Sequence, residues 1–229
     1  LKADVRVLES LDSTNAYLKD LARAGQAHEG LAIQALLQTK GRGRSDHGFF
    51  SPPGGVYISI ALPLGPDCLL ATGQAAVALR RAILGTTGIE TRIKWLNDLY
   101  YRSRKVAGIL AEVAGPFIII GCGVNLAGQD FPPEIRDKAG CLFGDMKSCP
   151  ASQLELGQAI ADSLLNLDRA CCLEEYRKNC FIIGKDLMVS GQSSYRAKAV
   201  GILDDYRLIV ERENGERQII SAGEVSVAL

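Results

Sequence analysis

Arg92-Ile93-Lys94-Trp95-Leu96-Asn97-Asp98-Leu99-Tyr100-Tyr101 passes through Arg102-Ser103-Arg104 into Lys105-Val106-Ala107-Gly108-Ile109-Leu110-Ala111-Glu112-Val113. Two runs rich in apolar, aromatic and β-branched residues, joined by a short charged segment, predict a hairpin. Its first strand is expected to end at Asn97-Asp98. Phe117-Ile118-Ile119-Ile120 predicts a further strand, followed by a glycine-spaced turn, Gly121-Cys122-Gly123-Val124-Asn125. That turn is no dinucleotide fingerprint. Its third glycine would fall at Leu126, and Phe131-Pro132-Pro133 follows where a helix should run.

Upstream, strands alternate with single helices. Val5 to Glu9 alternates as a strand. Asp12-Ser13-Thr14-Asn15 supplies N-cap residues for a helix with Tyr17, Leu18, Leu21 and Ala22 on one face and Gly25 at its stop. Leu31 to Leu37 and Gly55 to Leu62 read as strands, and Asp67 to Leu84 as a helix closed by Gly85. Downstream, Ala151 to Leu173 reads as a helix whose Ser152 and Glu155 have capping-box spacing, followed by a short helix from Glu174 to Phe181. From Lys185 the pattern becomes short strands: Asp186 to Val189, Tyr195 to Leu203, Arg207 to Arg212 and Arg217 to Ser221. Strands spaced by helices and then paired in hairpins predict an α+β fold, a mixed β-sheet flanked by helices, rather than a doubly wound one. The organisation expected is a main domain over 1–184 and a small β module over 185–229.

Between the second and third strands lies Gln38-Thr39-Lys40-Gly41-Arg42-Gly43-Arg44-Ser45-Asp46-His47-Gly48-Phe49-Phe50-Ser51-Pro52-Pro53. Glycine lets backbone approach a ligand closely. Arginine offers a planar fork of donors suited to phosphate or carboxylate. Such a loop is an anion clamp or a solvated basic loop, and local sequence leaves both open.

Composition bounds the remainder. The 229 residues are 47% hydrophobic and 23% charged, as in a globular protein with a substantial core. Lysine plus arginine balances aspartate plus glutamate at 26 each, so no net field favours nucleic acid or an anionic membrane. Seven cysteines have irregular spacing and only two histidines accompany them, which argues against structural zinc; no metal-ligating residue is assigned. Small buried thiols in a reducing, cytoplasmic compartment fit best. No secretory signal or apolar run of the roughly 20 residues a membrane helix needs is visible.

Four signals stand in order: Ser13-Thr14-Asn15 opening a helix, Gln38…Gly41-Arg42-Gly43-Arg44, Lys94-Trp95-x-Asn97-Asp98, and Lys105-x-x-Gly108-Ile109-Leu110. This order and spacing resembles the biotin–protein ligase (biotin–[acetyl-CoA-carboxylase] ligase) family, in the form without an N-terminal DNA-binding domain. The resemblance covers roughly Val5 to Leu229. It implies a core like that of class II aminoacyl-tRNA synthetases and biotin ligases, plus a C-terminal SH3-like β-barrel. It implies an ATP-dependent, Mg²⁺-assisted enzyme that makes biotinyl-5′-AMP and transfers biotin to a lysine of a biotin carboxyl carrier domain.

By position, the resemblance gives Lys105, Arg42, Arg44 and Asp98 catalytic roles. Lys105 and the two arginines steady phosphoryl and acyl charge, and Asp98 accepts or orients the incoming lysine's proton. Ser13, Thr14, Asn15, Gln38, Gly108, Leu110, Gly121 and Gly123 are implied to hold biotin. Arg42, Gly43, Arg44, Lys94, Asn97, Lys105 and Asn125 are implied to hold ATP or the adenylate. Lys94 either assists at the phosphates or orients Asp98, and Trp95 is expected in the core. A homodimer through the sheet stays open. Neither nucleic acid nor membrane is an expected partner.

The chain departs from the family's loop at Ser45-Asp46-His47-Gly48-Phe49. Aspartate stands where glycine is usual, histidine where arginine is, and phenylalanine where tryptophan is. Asp46 is expected to pair with Arg42 or Arg44 when the site is empty. Leu96 takes the place of a proline and removes no chemical group. The rival readings are a lipoate or octanoate ligase or transferase of the same fold, and a non-catalytic biotin sensor.

Overall fold

The computed structural model describes residues 1–44, 48–190, 194–221 and 223–227. In chain order the main part comprises β1 (Asp4–Leu11), α1 (Thr14–Arg23), β2 (Leu31–Gln38), β3 (Val56–Pro63), α2 (Ala71–Thr87), β4 (Arg92–Lys94), β5 (Asp98–Tyr101), β6 (Arg104–Ala114), β7 (Phe117–Val124), α3 (Gln153–Leu165) and α4 (Cys172–Asn179). It is followed by β8 (Asp186–Ser190), β9 (Tyr195–Ile202), β10 (Leu208–Arg212), β11 (Arg217–Ile220) and β12 (Glu224–Val227). Among the described residues the strands form two sheets. One has seven strands in the order β1-β2-β3-β7-β6-β5-β4, and the other five in the order β11-β10-β9-β8-β12. Only β1 and β2 pair parallel in the large sheet, bridged by α1; every other neighbouring pair in it is antiparallel. This is the mixed α+β architecture expected, with an antiparallel C-terminal sheet as its SH3-like element.

Helices cover the large sheet unequally. On one face α2 and α3 pack across β3, β6 and β7 over Ile58, Ile60, Ile109, Ile120 and Val124, and the buried residues of the small sheet join this same core. On the other, α1 alone covers one end, burying Leu18 and Ala22 against Leu31, Ile33, Ala61 and Ile119. The rest of that face is left to the segment between β2 and β3. Among the described residues no helix is long and apolar enough to cross a membrane.

Several element boundaries differ from expectation. Asp98 opens β5 rather than ending a strand. Trp95-Leu96-Asn97 is a tight turn that returns the chain so that Lys94 pairs with Asp98, and its Trp95–Leu96 peptide is cis. Gly121 to Val124 continues β7 instead of turning, because Gly121 and Gly123 pair with β3 on one side and β6 on the other. Helix α2 starts at Ala71 after a 3₁₀ turn and passes through Gly85; the left-handed residue that closes it is Gly88, φ 71°. Helix α3 stops at Leu165, where the Asn166 amide turns back to the Asp162 carbonyl at 2.8 Å, well short of Leu173. Its expected capping box is present, with Ser152 and Glu155 exchanging hydrogen bonds. Strand β12, not anticipated, pairs with β8 after Gly223 adopts φ 125°.

Candidate active site

The face that α1 leaves uncovered is the floor of the site. Side chains alternate faces along a strand, so register decides which residues share it. Tyr57, Gly123, Gly108 and Asp98 lie in one row across β3, β7, β6 and β5; Ser59, Gly121 and Leu110 form the next. Close approach explains the glycines. A Cβ on Gly121 would lie 2.1 Å from Asn15 Oδ1, and one on Gly123 would lie 2.5 Å from the Phe49 ring. At Gly108 a Cβ would stand 3.2 Å from the same ring and 3.4 Å from Lys105 Nζ.

At one end of this floor sits the N-terminus of α1. Ser13 caps the helix, its hydroxyl accepting from the Ala16 amide at 3.4 Å. Ser13, Thr14 and Asn15 are all buried. Thr14 donates from its backbone N–H (2.8 Å) and Oγ1 (3.2 Å) to Gln38 Oε1. Ser59 Oγ lies 2.7 Å from Thr14 Oγ1 and 2.5 Å from Asn15 Oδ1. Asn15 Nδ2 donates to Glu112 Oε2 at 2.9 Å and to the Leu110 carbonyl at 3.4 Å, and Lys19 Nζ donates to the other oxygen of Glu112. Burial pushes the Glu112 carboxyl up, but hydrogen bonds from Lys19 and Asn15 and the charges of Lys19 and Arg42 outweigh it, leaving the group below its ordinary 4.5. Asn15 thus packs against Gly121 on the floor's own face, with both ends of its amide engaged.

The loop joins this polar end through Gln38. Its Nε2 donates to Ser51 Oγ (2.9 Å), which donates to the Phe49 carbonyl (2.8 Å). Phe49 N–H in turn donates to the Gly41 carbonyl, and Arg42 bridges Gly48, so the loop's two limbs lie side by side. Only glycine fits at 41, since a Cβ would be 2.3 Å from the Phe49 carbonyl oxygen. The expected pairing of Asp46 with Arg42 or Arg44 falls outside the described residues.

At the opposite end the cations and amides gather. Lys105 Nζ lies 2.6 Å from Asp98 Oδ1, an ionic contact whose angle is not that of a hydrogen bond. Lys105 thus partners Asp98, and Lys94 stands over the Tyr100 ring, 5.6 Å from its centroid. Arg44 donates to Asn97 Oδ1 at 3.2 Å, and Asn97 Nδ2 to the Ile109 carbonyl at 2.9 Å. Asn125 Nδ2 reaches the Lys105 carbonyl at 3.5 Å. Its Oδ1 is a buried acceptor with no hydrogen-bond partner among the described residues. Arg42 is exposed and Gly43 half-buried on the same loop. Trp95 is buried beneath, its indole donating to the Tyr206 carbonyl at 2.7 Å, as a core residue should. The site is therefore a glycine floor with neutral hydrogen-bonding groups at one end and positive charge at the other. Such a shape suits an elongated, mainly apolar molecule carrying a polar head and a carboxylate.

Comparison with known proteins identifies the family. The family model described as the biotin/lipoate A/B protein ligase family matches residues 7–125, more than half of the chain. The chain belongs to that family. A second model, the biotin protein ligase C-terminal domain, matches residues 188–227 in the five-stranded sheet. Among family members, the biotin–[acetyl-CoA-carboxylase] ligase of Mycobacterium tuberculosis is 30% identical over 96% of this chain and 87% of that protein. The bifunctional ligase/repressor BirA of Escherichia coli is 39% identical over 54% of this chain, but the match spans only 40% of that relative's length. The solved biotin protein ligase of Aquifex aeolicus in complex with biotin and ATP superposes with a TM-score of 0.79 at 26% identity, covering 98% of each chain.

Four contributors escaped the sequence reading as site residues: Phe49, Ser51, Ser59 and Glu112. Ser59 and Glu112 had a signal, since each lies an even number of residues from Tyr57 or from Gly108 and Leu110, and so shares their face. Phe49 and Ser51 had none, because their positions depend on how the loop folds back.

Proposed function

We propose that the protein is an ATP-dependent ligase that activates biotin as biotinyl-5′-AMP and transfers the biotinyl group to a lysine of a biotin carboxyl carrier domain. The observation that carries this reading is the glycine floor of Gly108, Gly121 and Gly123, flanked by the Thr14–Gln38 pair at one end and by Lys105, Arg44 and Asn97 at the other. Biotin is an apolar chain with a ureido head and a carboxylate tail, and the order of groups along the floor matches it. A buried ureido left unpaired costs on the order of 1–3 kcal/mol per group. Thr14 and Gln38 meet that demand by exchanging their mutual bonds for bonds to the ligand. The C-terminal domain match, and relatives named for biotin rather than lipoate, favour biotin over the lipoate reading.

In the first step a biotin carboxylate oxygen attacks the α-phosphorus of ATP. The bond from that phosphorus to the bridging oxygen breaks, and pyrophosphate leaves. The approach of two anions requires cations set in place beforehand. Lys105, Arg42 and Arg44 meet this requirement in our assignment, with Asn97 holding Arg44 and Asn125 offering its free acceptor to the nucleotide. Mg²⁺ enters with ATP as part of the substrate. Among the described residues no cluster of three acidic, histidine or cysteine side chains exists to cage a resident ion, and Mg²⁺ held by phosphates typically keeps several waters.

In the second step the carrier lysine's neutral amine attacks the acyl carbon, the acyl–oxygen bond breaks, AMP departs and the nitrogen loses a proton. A free lysine has a pKa of about 10.4, so a nearby carboxylate favours reaction by taking or orienting that proton. Asp98 is assigned this role. As Lys105 turns toward the phosphoryl and acyl oxygens, the Asp98 carboxylate becomes available to the amine. Biotin-dependent exchange of pyrophosphate into ATP, followed by labelling of a purified carrier domain, tests both halves. Exchange with lipoate but not biotin selects the rival enzyme, and tight biotin binding without exchange selects a sensor.

A further inference from the structure

The turn that carries Asn97 and Asp98 is held from outside the site by two tyrosines that no part of the reaction uses. Trp95 N–H of the indole donates to the Tyr206 carbonyl at 2.7 Å, and the Tyr176 hydroxyl donates to the Leu96 carbonyl at 3.0 Å. The two tyrosine rings pack edge to face, centroids 5.0 Å apart, so the two holds act as one body. Tyr206 comes from the segment between β9 and β10 and adopts φ 65°, uncommon for an aromatic residue. Its ring seats against α2 where Gly73 lies, and a Cβ there would be 2.2 Å from it. Tyr176, fully buried, belongs to α4, whose Arg177 clasps the Ile202 carbonyl at the end of β9 at 2.7 Å and Asp204 in the turn that follows at 2.8 Å.

The other side of the turn faces the site. The Ile109 amide donates to the Asn97 carbonyl at 2.9 Å, the Asn97 side chain receives Arg44, and Asp98 meets Lys105. Three consecutive residues are thus pinned from two sides: Trp95 and Leu96 to the tyrosines, Asn97 to β6 and the cationic loop. A buried carbonyl that loses its donor moves to find another or stays unpaired. Motion at Leu96 passes directly into Asn97, one peptide away.

We propose that Tyr176 and Tyr206 are positioning residues for the nucleotide end of the site, through which the C-terminal sheet sets the geometry of Asn97 and Asp98. This rests on the ligase reading. It predicts a loss confined to that end of the floor, because Thr14, Gln38, Gly121 and Gly123 are held by other contacts.

The test uses full-length Tyr176→Phe, which keeps the ring and removes only the donor to Leu96. Biotin affinity should stay within about twofold of wild type by calorimetry, while ATP affinity and kcat/KM for ATP in pyrophosphate exchange fall about tenfold. Trp95→Phe, which removes the other hold and keeps an aromatic ring, should reproduce the pattern. In a double-mutant cycle, Asn97→Ala should cost less in the Tyr176→Phe background than in wild type. A lower Tm with unchanged ATP affinity, or a full Asn97→Ala cost in both backgrounds, overturns the proposal. Calorimetric ATP binding needs no turnover. A wild type without biotin-dependent exchange thus speaks against the ligase reading, whereas equal ATP affinity in wild type and Tyr176→Phe speaks against this one.

Discussion

The ring of Phe49 lies directly over Gly123, so near that a single added carbon on the glycine would approach within 2.5 Å of it. The loop's own side chain therefore rests on the floor assigned to biotin, with an edge-to-face contact to Tyr57 at 6.4 Å between centroids. A ligand lying over Gly123 would have to displace this ring.

Gly123→Ala is accordingly expected to retain the fold, because the clashing neighbour is a loop side chain that can move, but to narrow the floor. Biotin affinity should fall at least tenfold by calorimetry, equivalent to about 1.4 kcal/mol. Melting should change little. Undiminished affinity would show that the ligand does not lie over β7.

Lys105→Gln removes the cation nearest the proposed reacting centre. Loss of one preorganised charge-stabilising donor typically costs about 10²–10³ in kcat, so pyrophosphate exchange should drop by that order while biotin binding persists. Asp98, only 18% exposed, would lose an ionic partner, and stability should fall by about 1–2 kcal/mol. Exchange within a few-fold of wild type would remove Lys105 from the mechanism.

Glu112 makes stability pH-dependent in a stated direction. Folding holds its carboxyl below 4.5, so the native state favours the ionised form. The stabilisation is complete above that value and disappears as pH falls through the lower native one. Glu112→Gln should flatten the decline in Tm below about pH 4.5, and an unaltered acid limb would refute the coupling.

Ser51→Ala tests the joint between the polar end and the loop. It deletes the hydroxyl that accepts from Gln38 and donates to the Phe49 carbonyl, freeing Gln38 Nε2 and loosening the loop. The expected result is faster biotin association and dissociation by stopped-flow, with a net loss of about 0.5–1.5 kcal/mol in affinity, the usual worth of such a bond. Unchanged rates would mean that the two ends move independently.

What the sequence by itself determined is whatever short-range chemistry encodes. Alternation and β-branching mark the strands, and Ser152 with Glu155 marks a capping box that forms as written. Ser13, Gln38, Lys94 to Asp98 and Lys105 to Leu110 carry enough order and spacing to name a family. What it could not determine depends on partners distant along the chain. Gly121-x-Gly123 reads locally as a turn, yet pairing with β3 and β6 extends β7 through it. Asp98 reads as a strand end, yet three contacts, with Tyr206, Tyr176 and the Ile109 amide, hold the preceding residues in a turn, so that Asp98 begins a strand. That Lys105 meets Asp98 follows from register, and that Asn15 braces Gly121 and Phe49 lies on Gly123 follows from register together with the docking of α1 and the fold of the loop. A shift of one residue in a strand would send its side chains to the opposite face and take Asp98 or Lys105 out of the site. Only the assembled sheet sets that register.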